Sequence, residues 1–284
     1  MSYYLNQLKK DLQIKGFSEK TIKIYFSHVR YYLTYYKKNF NPDSALQIKD
    51  YFHYLLHTQK VSRSHMHQSY SALKFFYTIT LRKNWEPMKI PRVKRIKKLP
   101  EILNRDDIIK LIELTRNIKH KAILMVIYSA GLRVSETANL KIKDIDPDSK
   151  TIKVCGGKGK KDRFTLLSQK TLEFLRTYYK LYRPKKLLFE GRTQAKPLTV
   201  STIQRLFKNA KKQAGIKKDV SVHSLRHSFA TQLLEQGTDI HIVQRLLGHK
   251  SLRTTMVYLH LKKDSFSKVV SPLDFQPVEN KKYI

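Results

Sequence analysis

The sequence has 284 residues, 41% hydrophobic and 28% charged, a composition typical of a folded chain rather than a disordered one. Its 57 Lys and Arg against 22 Asp and Glu give a formal net charge of +35, which a folded protein carries most readily beside a polyanion. The single cysteine excludes an intramolecular disulfide and a thiolate zinc site, and the longest apolar run, around residues 122–130, is too short to span a bilayer.

The basic residues are spread over the whole chain, so the expected polyanion contact is a broad surface rather than a charged tail. The start of the sequence, MSYYLNQLKK, lacks the apolar stretch of a signal peptide. We therefore expect a cytoplasmic protein that binds nucleic acid and no membrane. Charge alone favours a structural nucleic-acid binder over an enzyme, so other features must decide.

Residues 1–89 are predicted to form an N-terminal helical domain. Ser18 is a candidate N-cap for a segment with apolar residues at helical spacing through 22–29, and 51–55 and 70–81 repeat the pattern. The aromatic residues in these segments alternate with Lys, Arg and His, which would also suit stacking on bases. Core packing is the favoured interpretation.

A basic stretch separates this domain from the rest of the chain. Residues 90–100 contain two prolines and five Lys or Arg residues, with little to bury, which predicts a linker. Residues 101–284 form the predicted second domain.

The second domain is predicted to be helical around one small antiparallel sheet. Asn104 is predicted to be an N-cap, and helical patterning continues to about Leu140. Short β-like pieces fill 142–167, broken by turn residues. Helices return from Leu172, with these predicted boundaries: Thr199 begins one, His223 heads another that ends at Gly237, Asp239 caps a third that closes at Gly248, and Ser251 caps the helix carrying Tyr258.

Five polar segments in the second domain contain the candidate catalytic residues, although each segment alone is a weak signal. From them we select two arginines, two of the three histidines (His223 and His249), a turn lysine and a tyrosine, which form a phosphoryl-transfer set without a metal. The segments are 131–136, 157–159, 223–227, 247–249 and the stretch ending at Tyr258.

The chemistry of a phosphodiester requires these residue types. Planar guanidinium groups grip non-bridging oxygens through paired hydrogen bonds, a role that fits Arg133 and Arg226. An unperturbed tyrosine has a pKa of about 10, so Tyr258 would attack only if its proton is accepted. His223 and His249 are suitable donors or acceptors.

The departing sugar oxygen needs a proton, and Lys158 on a hairpin turn could supply it. Rival interpretations fail on the residues present. The residues between His223 and His227 include the cation Arg226 and lack the Glu of a zinc-protease motif, and the glycines around Lys158 lack the spacing of a phosphate-binding loop. Cys155 could be a thiol nucleophile, but a buried strand residue is favoured.

The sequence resembles the tyrosine recombinases, the family of phage integrases and Xer proteins, over nearly its whole length. The shared pattern is Gly-Leu-Arg, a hairpin Lys, His-x-x-Arg, a later Leu-Gly-His, and Tyr nine residues beyond that His. The resemblance implies a SAM-like DNA-binding domain followed by an α+β catalytic domain, with a neighbouring Glu136 orienting the pocket. The implied catalytic residues are Arg133, Lys158, His223, Arg226 and His249, with Tyr258 as nucleophile.

The same resemblance implies a covalent 3′-phosphotyrosyl intermediate, with no metal or ATP required. It also implies that segment 262–284 docks into a neighbouring protomer within a four-subunit complex on double-stranded DNA carrying specific recombination sites. A type IB topoisomerase-like relaxase and a non-catalytic DNA-binding protein remain alternatives. The sequence specifies neither the target site nor whether an accessory protein activates cutting.

Overall fold

A computed structural model describes residues 2–85, 99–156, 162–191 and 196–261. The chain divides into two compact units, residues 1–97 and 98–284. Most of the predicted linker 90–100 and all of the predicted exchange segment 262–284 lie outside the described residues. Within the described part, no helix combines the length and apolar character needed to cross a membrane.

All the regular secondary structure described in the N-terminal unit is helical, as predicted. Ser18 caps the second helix, since its Oγ accepts a hydrogen bond from the Thr21 backbone N–H at 3.3 Å. The helices are α1 (Ser2–Ile14), α2 (Glu19–Tyr36), α3 (Ala45–His57) and α4 (Arg63–Phe75), with a π-helical turn at Phe76–Thr80.

Aromatic side chains form much of the core of this unit. Tyr32 and Tyr77 are fully buried, with their hydroxyl oxygens 2.8 Å apart. Tyr25, Phe26 and Tyr54 are partly buried against the same core. These contacts agree with the prediction that the periodic aromatic residues serve core packing.

The second unit surrounds one small sheet with helices. Asn104, Thr199 and Asp239 each accept a backbone N–H at a helix start, as predicted. The helices are α5 (Arg105–Glu113), α6 (Ile118–Ala130), α7 (Val134–Ala138), α8 (Gln169–Tyr182), α9 (Val200–Gln213), α10 (Val222–Glu235), α11 (Ile240–Leu247) and α12 (Leu252–Thr255).

The sheet is three-stranded and antiparallel, which confirms the prediction of a mainly helical protein with a small antiparallel sheet. Its strands β1 (Ile145–Asp146), β2 (Thr151–Val154) and β3 (Arg163–Leu166) pair in sequence order. The prediction that Cys155 is a buried strand residue was wrong. Strand β2 ends at Val154, and Cys155 is exposed in the turn that follows.

Two predicted helix boundaries also differ from the structure. The helical stretch toward Leu140 is interrupted after Ala130, where Gly131 has left-handed backbone angles. Ser251 precedes the four-residue helix α12, but Tyr258 lies beyond it in a 3₁₀ helix, Met256–Leu261. Thr255, the last residue of α12, and Tyr258 in the 3₁₀ helix are both buried.

Candidate active site

The candidate site begins at the break between α6 and α7. Gly131 ends α6 at a φ of 59°, a conformation that glycine adopts without steric cost. A Cβ atom at this position would lie 2.4 Å from the Phe229 ring, so the chain approaches α10 closely. The turn brings Arg133 to the start of α7, and α6 packs against both α7 and α10.

We expect Gly131→Ala to destabilise the second unit through this close approach. Gly215→Ala is the matched control, because Gly215 also has a positive φ (69°) but would place its Cβ in open space. Gly131→Ala should cost about 1–3 kcal/mol more than the control, the usual range for overpacking. Hydrogen exchange of α6 and α10 amides measures this, since the single tryptophan, Trp85, lies in the other unit. Equal losses would show that Phe229 simply moves aside.

Arg226 joins the ends of two helices. Its side chain is buried on α10, and its guanidinium donates to the Gly131 carbonyl at the end of α6 and to the Leu247 carbonyl at the end of α11, the latter at 2.6 Å. These carbonyls have no partner within their own helices, so Arg226 satisfies them. Desolvation, assisted by the positive charge of Arg133, lowers the pKa of Arg226 to about 10, which leaves it charged at neutral pH.

Glu136 lies among three arginines. Its Oε1 accepts from Arg133 Nη1 at 2.7 Å and Arg163 Nη1 at 2.9 Å, and its Oε2 accepts from Arg163 Nη2 at 2.8 Å. Arg226 Nη1 is 3.9 Å away. Burial alone would raise the pKa of Glu136, but the hydrogen bonds from Arg163 and Arg133 outweigh it and lower the pKa to about 2. Glu136 therefore orients the arginines as a carboxylate.

Arg163 is a member of this network that the sequence did not reveal. Besides its paired bonds to Glu136, its Nε donates to the Leu246 carbonyl at 2.8 Å. A Cβ on Gly248 would lie only 2.7 Å from the Arg163 Cδ, so the absence of a side chain at Gly248 leaves room for Arg163. Arg163 thus ties strand β3 to the end of α11. No local pattern distinguishes it from the other cations of the hairpin.

His249 follows α11 and uses both ring nitrogens. Arg226 Nη2 is 3.3 Å from its Nε2, and Thr255 Oγ1 is 2.9 Å from its Nδ1. A guanidinium only donates, so Nε2 accepts and the proton sits on Nδ1. Desolvation, together with the positive charges of Arg226 and Arg133, lowers the pKa of His249 to about 4. The ring is neutral at pH 7.

Tyr258 is buried, with only 3% of its surface exposed. Its Oη lies 3.0 Å from Nδ1 of His227, and its ring stacks on that of His249 with centroids 6.2 Å apart. Burial raises the pKa of Tyr258, whereas the positive charges of Arg226 and Arg133 oppose that rise. The hydroxyl is therefore protonated at neutral pH, within the field of two guanidinium groups.

The structure brings Arg133, Arg226, His249 and Tyr258 into one contact network. His223 lies in the first turn of α10 with an exposed side chain. Partial desolvation and the positive charges of Arg226 and Arg133 lower its pKa, which places it in the same electrostatic surroundings. The remaining predicted residue, Lys158, lies outside the described residues.

This arrangement has the electrostatics of an oxyanion site. Three guanidinium groups share one carboxylate, so positive charge remains in excess where Arg133 is partly exposed. Preorganised donors of this kind stabilise charge that develops on phosphate oxygens. The buried hydroxyl of Tyr258 lies within the electrostatic field of two of these groups, Arg226 and Arg133.

Two family models match the chain. Residues 101–265 match the phage integrase family, and residues 4–87 match the N-terminal SAM-like domain of phage integrases. The match over residues 4–87 confirms the predicted SAM-like domain. This domain precedes the integrase domain in the chain, as predicted.

Individual relatives cover most of the chain. An integrase/recombinase of Sinorhizobium fredii is 36% identical over 95% of this chain and 88% of its own length. Tyrosine recombinase XerA of Pyrococcus horikoshii is 34% identical over 89% of this chain and 87% of its own. The crystal structure of the site-specific recombinase XerH bound to a palindromic difH substrate, in a post-cleavage complex, superposes with a TM-score of 0.69 at 25% identity, covering 85% of this chain and 76% of that one.

Proposed function

This chain belongs to the phage integrase family and is a site-specific tyrosine recombinase, and from that premise we propose that Tyr258 is the residue that attacks the DNA phosphodiester. The observation that supports this proposal is the buried hydroxyl of Tyr258, held by His227 within the field of Arg226 and Arg133. Attack would link the tyrosine to the 3′-phosphate and release a free 5′-hydroxyl. Trapping labelled DNA on the protein through a denaturing gel tests the step.

The remaining pocket residues have distinct proposed roles. Arg133 and Arg226 bind the non-bridging oxygens, whose charge grows as the pentacoordinate transition state forms. Glu136 holds the arginines in place. His249 and His223 complete the hydrogen bonds around the phosphate, and its negative charge would raise the pKa of both rings. Together these groups bind the phosphate, orient it and transfer protons.

We expect Lys158 to be the general acid that protonates the departing 5′-oxygen. Lys158→Ala should therefore cleave an ordinary substrate slowly, by about 10²-fold or more. A substrate with sulfur at the bridging 5′ position should restore most of the rate, because a thiolate leaves without a proton. Single-turnover cleavage of the two substrates measures the rescue. If the sulfur substrate is cleaved equally slowly, the acid is another residue, with His249 the next candidate.

DNA is the partner of this enzyme, and its net charge of +35 accounts for a strong electrostatic share of binding. Neutralising each phosphate contributes a slope of about −0.9 to the plot of log K against log salt. We propose that the protein acts at specific sites in double-stranded DNA, in the cytoplasm, and that four subunits assemble there. Repulsion between such basic subunits would be relieved on the DNA.

We expect segment 262–284 to carry the contact between subunits. Deleting residues 264–284 should leave binding to a single site intact but abolish synapsis and reduce coordinated strand exchange. A gel-shift titration measures the first property, and recombination of a two-site plasmid by the purified protein measures the second. Normal recombination by the truncated protein would show that the segment packs on its own subunit. Recombination that appears only with cell extract would reveal an accessory protein.

A further inference from the structure

His227 follows Arg226 directly on α10 and contacts the proposed nucleophile. Its Nδ1 lies 3.0 Å from Tyr258 Oη, and the two rings are inclined at 47° with centroids 5.6 Å apart. Among the described residues, His227 is the side chain that forms a hydrogen bond with Tyr258 Oη. The His-x-x-Arg pattern drew attention to His223 and Arg226, whereas the structure brings the next residue to the tyrosine hydroxyl.

The other histidine beside Tyr258 is not arranged to receive its proton. His249 stacks its ring against the ring of Tyr258 at an interplanar angle of 18°. Its Nε2 already accepts from Arg226, and its Nδ1 is engaged with Thr255. Both nitrogens thus have partners other than the hydroxyl. His227 therefore offers the direct hydrogen-bonded route away from the attacking oxygen.

The protonation state of His227 suits an acceptor. Desolvation, followed by the positive charges of His223 and Arg226, lowers its pKa to about 4, so it is neutral at pH 7. The groups that face it are His223, Arg226, His249 and Tyr258. A DNA phosphate bound by the arginines would add negative charge nearby and raise the pKa of the ring. The basicity of His227 would then increase when substrate is present.

We propose that Nδ1 of His227 is the base that accepts the Tyr258 proton during cleavage. The inference rests on the proposed role of Tyr258 as nucleophile. The Tyr258 O–P bond forms as the bond from phosphorus to the 5′-oxygen breaks. The tyrosine proton passes to His227, and the departing oxygen receives a proton from the general acid. In the rejoining step His227 returns the proton to Tyr258.

A pair of variants separates proton transfer from positioning. In His227→Asn the amide retains a hydrogen-bonding atom bonded to Cγ, where histidine has Nδ1, but it cannot take up a proton. His227→Ala removes the contact altogether. Both should cleave about 10²-fold more slowly than the wild type in single turnover, the lower end for loss of a general base. DNA affinity should be unchanged, and His120→Asn, an exposed histidine at the far end of α6, serves as the control.

The pH dependence of the cleavage rate distinguishes proton transfer from a purely structural role, because loss of a structural contact would leave the shape of the pH profile unchanged. Without an acceptor, His227→Asn must react through ionised Tyr258, so its rate should rise about tenfold per pH unit up to the tyrosine pKa. The wild type should show a flatter profile over the same range. A His227→Asn rate within a few-fold of wild type, or a slow rate with a parallel profile, would overturn the proposal.

The substrate with a bridging 5′-sulfur locates the defect on one side of the phosphate. It should rescue Lys158→Ala but leave His227→Asn slow, because the nucleophile still needs to lose its proton. Rescue of His227→Asn would overturn the proposal by moving His227 to the leaving-group side. Failure of the premise is distinguishable, because then a Tyr258→Phe protein would still form the covalent adduct.

Discussion

Tyr258→Phe is expected to abolish DNA cleavage and the covalent protein–DNA adduct while leaving DNA affinity nearly unchanged. Phenylalanine keeps the ring that stacks on His249 and loses only the oxygen that bonds to phosphorus and to His227. The missing hydrogen bond should lower the free energy of unfolding by only about 1 kcal/mol. The adduct is measured on a denaturing gel, and affinity by gel shift.

Tyr178→Phe is the matched control for this experiment. Tyr178 is a buried tyrosine in the same unit, and its hydroxyl donates to the Leu188 carbonyl at 2.9 Å. It should therefore lose similar stability and cleave DNA normally. An adduct formed by Tyr258→Phe would contradict the assignment of the nucleophile. Equal loss of cleavage in Tyr178→Phe would show that stability, not chemistry, limits both variants.

The second large effect is expected from the two pocket arginines. Arg133→Ala should slow single-turnover cleavage by about 10²-fold or more, by analogy with loss of one oxyanion donor. Alanine at Arg133 should disturb the fold little, because the side chain is 24% exposed and its protein partners are mainly Glu136 and the Gly248 carbonyl. Affinity for DNA should fall far less, since most phosphate contacts remain.

Arg226 requires a more conservative variant, because the alanine would leave the carbonyls of Gly131 and Leu247 without their partner. Arg226→Lys keeps the charge but cannot make the forked contacts, so we expect a loss of about 10²-fold with the fold retained. Arg176→Ala, an exposed arginine on α8, is the control. Rates for Arg133→Ala and Arg226→Lys within a few-fold of that control would exclude both from the pocket.

Local patterns in the sequence predicted much of the fold. Ser18, Asn104 and Asp239 are predictable caps because capping joins residues two or three apart, a relation visible in the chain itself. The small sheet was recognised for the same reason, from alternation and turn residues. Cys155 was misplaced because strand ends depend on pairing, and β2 stops one residue earlier.

The sequence by itself determined the residue types for phosphoryl transfer, since Arg133, Arg226, His249 and Tyr258 each stand in a short recognisable segment. Only the tertiary structure placed Arg163 on Glu136 and His227 on Tyr258. These contacts join residues 27 and 31 positions apart, so no local spacing encodes them. They arise because strand β3 and α10 pack against the ends of other helices, where buried carbonyls and charges require partners.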